Sequence, residues 1–176
     1  LEHSKTQVAL RNAQDLGASF AEVRLTASTD SSVAIRHGKL ERAIPGQEIG
    51  ATMRILADGA WGVHSTTDVL SLPTQVESTV RLAKAVAARR ASKDRPVALA
   101  EVPIFEDEVH WKPKKDVRNT DLDTKLHHLM TLHDSAAEDD RIVSVTCGWH
   151  DEHLHTELLT SEGMNRTWSY QRSLIN

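Results

Sequence analysis

One cysteine, seven aromatic residues and five prolines are a thin supply for 176 residues, and each shortage excludes something. A lone Cys147 leaves no internal disulfide and no cysteine-rich zinc site. Four of the seven aromatics are tryptophan, so the core has to be aliphatic. No apolar run approaches the roughly 20 residues of a membrane helix. The first ten residues, LEHSKTQVAL, have neither the basic start nor the apolar stretch of a secretory signal, and a cytoplasmic protein is the plain reading. The eight glycines stand singly, so there is no Walker loop and no G-x-G-x-x-G. No G-x-S-x-G elbow occurs. No histidine is followed by glutamate, which removes H-E-x-x-H and its relatives.

Charge is present but uneven. Residues 1–100 carry 13 Lys and Arg against 10 Asp and Glu, a net of +3, and residues 101–176 carry 8 against 15, a net of −7. The total of −4 argues against bulk nucleic-acid binding, which usually shows a basic face. A swing of that size marks a change of domain.

Periodicity predicts a helix over 4–16, stopped by Gly17 and buried along Ala9, Ala13 and Leu16. Ala21, Val23 and Leu25 alternate with Glu22 and Arg24, so one strand face is buried and the other wet. Two hairpins follow, turning at His37-Gly38 and at Asp58-Gly59, the latter a strong hairpin signal. The second return strand is expected over 60–66, with Trp61 and Val63 on one face. A long helix starts near Ser71, with Pro73 in its first turn and Val76, Val80, Ala83 and Ala87 as its stripe. It closes at Arg89-Arg90, read as a solvated helix end rather than a phosphate site.

Residues 92–118, with three prolines, read as a connector in which 97–102 could form a short strand. A third helix, capped by Asn119 or Thr120, runs to about Ala137 with Leu126, Leu129, Met130 and His133 on one face. Val143, Val145, Cys147 and Trp149 then alternate as a strand. His150-Asp151-Glu152-His153 is read as a turn, Leu154–Leu158 as the return, Ser161-Glu162-Gly163 as another turn, and Trp168–Leu174 as a last strand. Ending at Asn176 in mid-strand suggests a piece of a longer chain, whose unpaired final strand would seek a partner elsewhere.

These elements predict an α+β fold: an antiparallel, hairpin-rich sheet packed by two or three helices, followed by the start of a second β-rich domain. The expected division is an N-terminal α+β domain over 1–92, a connector over 93–118, and the truncated start of a central α+β domain over 119–176.

Ten histidines are the chief candidates for chemistry. His150, His153 and His155, with Asp151 and Glu152, are the densest group, but strand alternation puts His153 and His155 on one side and His150 on the other, so no metal site is read from them. His127 and His128 point about 100° apart on a helix and do not chelate together. His133 reads as a satisfied core histidine. His64 beside Ser65 lacks the acid and the elbow of a nucleophile. Cys147, between Val145 and Trp149, reads as buried and inert. No residue is assigned as catalytic, cofactor-binding or metal-binding.

Three segments, GASFAEVRL (17–25), RHGKLERA (36–43) and above all IGATMRILADGAWGVHSTTD (49–68), resemble the TldD/PmbA family, once labelled modulators of DNA gyrase. ALAEVPIFEDEVHW followed by a capped helix, and then LLTSEG (158–163), are similar to the family's passage into its central domain. The resemblance implies the N-terminal region of a zinc metallopeptidase, a hydrolase of unfolded peptides. In that family H-E-x-x-x-H and a later cysteine form the metal site, and the protein works as an oligomer with a homologous TldD/PmbA-type subunit lacking the motif. None of those metal ligands transfers to this chain, and Cys147 is not given the role of the ligand cysteine. Zinc is therefore implied for the full-length protein and no cofactor for these residues, which on their own should hydrolyse nothing. The alternatives are a non-catalytic PmbA-like partner subunit and a stand-alone peptide-binding module that adds strands to an open sheet edge. No direct nucleic-acid or membrane contact is implied.

Overall fold

A computed structural model describes residues 3–90 and 95–176. The elements are α1 (His3–Asp15), β1 (Phe20–Arg36), β2 (Lys39–Ala57), β3 (Ala60–Thr66), α2 (Leu72–Ala88), β4 (Glu106–His110), α3 (Leu122–Ala137), β5 (Thr146–Thr160) and β6 (Asn165–Ile175). Short 3-10 turns cover Val69–Ser71 and Val117–Asn119. The strands form a six-stranded sheet in the order β3-β2-β1-β5-β6-β4. This is the α+β, hairpin-rich arrangement with three helices that the periodicity predicts.

The chain divides into two compact units that interleave along it. The first comprises Leu1–Thr26, Ile49–Val109 and Thr156–Trp168, the second Ala27–Glu48, His110–His155 and Ser169–Asn176.

In the first unit the aliphatic core gathers Ala9, Leu10 and Ala13 of α1, Ala21, Val23 and Leu25 of β1, Ala51, Met53 and Ile55 of β2, and Leu72, Val76, Val80 and Ala83 of α2. Leu16 does not join it: it lies one residue past the end of α1 and is exposed, while Thr6 and Leu10 fill the stripe. β2 and β3 pair antiparallel from Ala57↔Ala60 to Ala51↔Thr66. Asp58 and Gly59 both have positive φ, +52° and +74°, as a type I′ hairpin turn requires. Arg90 is more than a solvated helix end. Its Nη1 donates to the Gly59 carbonyl at 2.9 Å, and Val97 N–H donates to the same oxygen at 2.8 Å, so the turn is tied from two sides.

Trp61 and Val63 do share a face, but Val63 is half exposed. The side of β3 that meets α2 is marked by Gly62 instead, where a Cβ would stand 2.2 Å from the Thr79 carbonyl oxygen. Glu22 is also not on a wet face. It is 9% exposed and accepts from Arg54 Nε at 2.7 Å, and the Arg54 guanidinium lies 4.9 Å over the Trp61 ring.

No strand forms at 97–102. Pro96 and Pro103 remove donors there, and the strand of this region is β4, at Glu106–His110. It begins where Asn165 N–H donates to the Phe105 carbonyl at 3.1 Å.

In the second unit β1 turns into β2 through His37 (φ +48°) and Gly38 (φ +70°). The α3 cap lies later than Asn119 or Thr120: the Asp121 side chain accepts from Thr124 N–H at 2.6 Å, and Asp116 caps the preceding 3-10 turn. Leu129, Val33, Ile35 and Cys147 form a small core, with Leu126, Met130, Val145 and Trp149 against it. Val143 lies outside it and is 92% exposed. His150–His153 is no turn, because β5 runs unbroken from Thr146 to Thr160. The acid at its centre, Asp151, is buried in a network of donors, so the strand has no reason to turn out to water. β6 is not an unpaired edge either. It lies between β5 and β4 in the strand order, and within the second unit Asn176 and Gly148 exchange both backbone bonds, at 3.0 and 2.7 Å.

Candidate functional site

The second unit holds the densest polar chemistry. Alternation along β5 puts Cys147, Trp149, Asp151, His153 and His155 on one face. Asp151 sits in the buried part of that face. Lys125 of α3 brings its Nζ to 2.7 Å from Asp151 Oδ2 and donates to Ser31 Oγ at 2.6 Å, and the side chains of Lys125 and Asp151 are 7% and 5% exposed. Trp149 Nε1 donates to Asp151 Oδ1 at 2.7 Å, and the Ser173 hydroxyl donates to the same oxygen. Burial alone would raise the Asp151 pKa, but the hydrogen bonds from Lys125, Ser173 and Trp149 together hold it below its ordinary value. Ser31 beside Lys125 has the spacing of a Ser–Lys dyad, yet an ammonium held in an ion pair by an ionised Asp151 has no lone pair with which to act as a base. The network is structural.

Further along the same face, His153 and His155 open onto a cleft of about 580 Å³. Its other walls are His110, Trp111, Lys112 and Pro113 at the end of β4, Asp116 and Arg118 of the 3-10 turn, and Ser169 and Gln171 of β6. Gln171 Oε1 accepts from Val117 N–H at 2.6 Å and holds the turn in place. The rings of His110 and His155 stack at 6.4 Å with 14° between their planes, and His110 Nδ1 lies 2.6 Å from Ser169 Oγ. Arg118 bonds Asp116 through Nε and Nη2, at 2.9 and 2.5 Å, and so holds the Asp116 carboxyl at about 2. Burial, and then the charge of Arg118, push the His153 imidazole below its ordinary value.

His153 and His155 thus share a side, as alternation predicts, and His150 does not line the cleft. Reasoning along the strand missed His110, Asp116 and Arg118, which arrive from other elements. The missed signal was the basic run Trp111-Lys112-Pro113-Lys114-Lys115 inside an acidic third of the chain. Of the remaining histidines, His128 lies against Trp149 with ring centres 5.9 Å apart. His133 sits beside Asp134 and against the position a Gly38 Cβ would take. Ser65 Oγ bonds Thr52 Oγ1 at 3.1 Å, and as its strand neighbour His64 points to the opposite face. Cys147 is buried and free. Among the described residues, no group of three or more His, Cys, Asp or Glu side chains is placed to hold a metal ion. A zinc ion therefore finds no fitting ligand set there.

The first unit carries an apolar groove of about 360 Å³. Phe20 and Trp61, in edge-to-face contact with centres 6.0 Å apart, form one wall, and Leu99, Val102 and Ile104 line the rim. The Glu22–Arg54 pair, Thr160 and Glu162 supply the polar lining.

Fold and sites together define a mixed α+β region with a shaped sheet surface and no metal centre among its described residues. Residues 21–89 match the family described as PmbA/TldA metallopeptidase domain 1. No curated protein matches the sequence. Among solved structures, a candidate modulator of DNA gyrase from Bacteroides thetaiotaomicron superimposes with a TM-score of 0.76 at 22% identity, over 96% of this chain and 38% of that one. A second, from Thermotoga maritima, gives 0.74 at 15% identity over 99% and 39%, and TldE from Thermococcus kodakarensis gives 0.74 at 14% over 97% and 38%. The family match is thus confined to residues 21–89, where the sequence resemblance is clearest, and over the whole chain the likeness to these structures is one of fold. It spans under two-fifths of the length of these structures. No helix among the described residues is long and apolar enough to cross a membrane.

Proposed function

We propose that this chain is the N-terminal region of a TldD-like zinc metallopeptidase acting on unfolded peptides, and that it contributes substrate chamber and subunit interface rather than the metal site. The observation that carries this reading is the match of residues 21–89 to a metallopeptidase first domain. That match ends close to residue 92, which supports a division into a domain over 1–92, a connector over 93–118 and the start of a central domain over 119–176. The groove of Phe20, Trp61, Leu99, Val102 and Ile104 suits apolar side chains of an extended peptide. Leu40 and Ile44 of β2 are more than half exposed, which suits burial against a homologous subunit. The zinc and the hydrolytic step belong to residues outside this chain. A PmbA-like partner subunit without a metal motif is the second reading, favoured by the likeness to TldE.

Mixed with zinc and an unfolded peptide, the chain is expected to leave the peptide intact and to retain no stoichiometric metal after dialysis. Peptide mapping by mass spectrometry and metal analysis check both. One retained zinc per chain with cleavage, both lost in His153→Gln, would overturn the assignment.

A further inference from the structure

In the first unit the strand residues Ala21, Val23, Leu25, Met53 and Ile55 pack on one side of the sheet, against α1 and α2. The other face carries one device three times, an arginine laid against an aromatic ring. Arg54 lies 4.9 Å from the centre of the Trp61 ring, Arg166 5.6 Å from that of Phe105, and Arg24 6.0 Å from that of Trp168. Two of these guanidiniums also hold a carboxylate. Arg54 bonds Glu22 at 2.7 Å, and Arg166 bonds Asp107 at 2.7 and 3.0 Å. Arg24 is exposed and, among the described residues, has no hydrogen bond or ion pair. Stacking uses the flat face of a guanidinium and leaves the N–H groups at its edge free to donate. Arg24 opens onto a polar pocket of about 650 Å³, in which it is the one charged lining residue. Thr26, Thr52, Ser65 and Thr67 line the same pocket. Thr52 and Ser65 bond each other at 3.1 Å, which uses one hydroxyl hydrogen and leaves the other to donate outward. The neighbouring carboxylates are engaged or lie elsewhere. Glu22 is held by Arg54. Glu157, two residues from the core residue Leu159, and Glu106 and Glu108, which alternate with Asp107, belong to the opposite face. Asp68 follows Thr67 without lining the pocket, and Glu162 lines the apolar groove instead.

We propose that Arg24 and this hydroxyl-lined pocket bind the carboxylate of an acidic side chain in an extended peptide, which takes the place that Glu22 and Asp107 take for the other two arginines. A carboxylate presents two oxygens at the spacing of the guanidinium fork, so a bidentate, charge-assisted pair forms with Arg24, and Thr52 or Ser65 donates a further bond. Recognition by arginine draws on no protonation step of the protein. The apolar groove, lined by Trp61, Glu22 and Arg54, lies beside the pocket on the same face. Glu22 and Arg24 are two positions apart on β1, about 7 Å, which is one same-face step of an extended chain. A peptide running along β1 with an apolar side chain in the groove brings its next same-side residue to Arg24. Acidic selectivity of this kind rests on the proposed peptide binding by the first unit.

The test compares two fluorescent, unfolded peptides by anisotropy. One has an apolar residue with glutamate two positions away on either side, and the other has both glutamates replaced by glutamine. The glutamate peptide is expected to bind about three- to tenfold more tightly. Arg24→Gln should bring it down to the affinity of the glutamine peptide. Ser65→Ala should reduce the preference about twofold, and serves if the arginine variant does not fold. Arg81→Gln removes an equal charge from an exposed position of α2 and should keep the full preference. Equal binding of the two peptides by the parent chain overturns the carboxylate site and leaves the groove standing. A preference that survives Arg24→Gln, or that falls as far in Arg81→Gln, overturns it as well. Failure of both peptides to bind overturns the peptide reading and the site with it.

Discussion

Replacing Asp151 with alanine is expected to destabilise the second unit by about 3–5 kcal/mol, because it strands a buried ammonium. Lys125 and Asp151 are nearly out of water, and their pair at 2.7 Å is completed by Ser31, Trp149 and Ser173. Removing the acid leaves Lys125 with the Ser31 hydroxyl alone among those partners. The double variant Lys125→Met/Asp151→Leu removes both charges, and should recover most of the loss, since well-packed apolar replacements of buried pairs are often neutral. Urea unfolding with hydrogen exchange of the α3 amides measures both. A single variant within about 0.5 kcal/mol of the parent would show that the pair is not buried as described. The pH dependence has a definite sign. Asp151 has a depressed pKa in the fold, so its contribution is present above the ordinary carboxylate range and is lost as pH falls through its folded value. Asp151→Asn should therefore flatten the acid side of the stability profile.

Gly62→Ala is expected to lower the stability of the first unit by on the order of 3 kcal/mol, the upper end of what overpacking costs. The added Cβ would meet the Thr79 carbonyl at 2.2 Å and the Ala83 nitrogen at 3.1 Å. Both are backbone atoms of α2, so no side chain can rotate away, and the helix has to lift off β3. Gly50→Ala is the control, because its Cβ would lie at an ordinary 3.5 Å from the Thr66 carbonyl. Equal melting temperatures for the two variants would mean that α2 does not approach β3 as closely as described.

Local signals carried much of the fold. Asp58-Gly59 set both the turn and the return strand, and Ala60–Thr66 is the strand that alternation predicts. Ala21, Val23 and Leu25 are buried for the same reason. What local pattern could not supply were contacts between residues distant in the chain. Gly62 looks like any glycine until α2 is laid over it. His150-Asp151-Glu152-His153 looks like a polar turn until Lys125, 26 positions earlier, is found to neutralise its acid. Glu22 looks solvated until Arg54 arrives from β2. In each case the deciding partner is distant in sequence, and for Asp151 and Glu22 it also allows an acid to be buried. The candidate cleft was half legible: His153 and His155 are neighbours on a strand face, while His110 and Arg118 join them only through the sheet order and the 3-10 turn.

The central claim, that this chain receives unfolded peptide without cutting it, is tested most directly by photo-crosslinking. An unfolded peptide with a photoreactive apolar residue should label Trp61, Val102 and Ile104 of the groove in the first unit, be competed by excess unlabelled unfolded peptide, and emerge uncleaved. Labelling that is scattered over the surface, indifferent to competition or accompanied by hydrolysis would contradict the account.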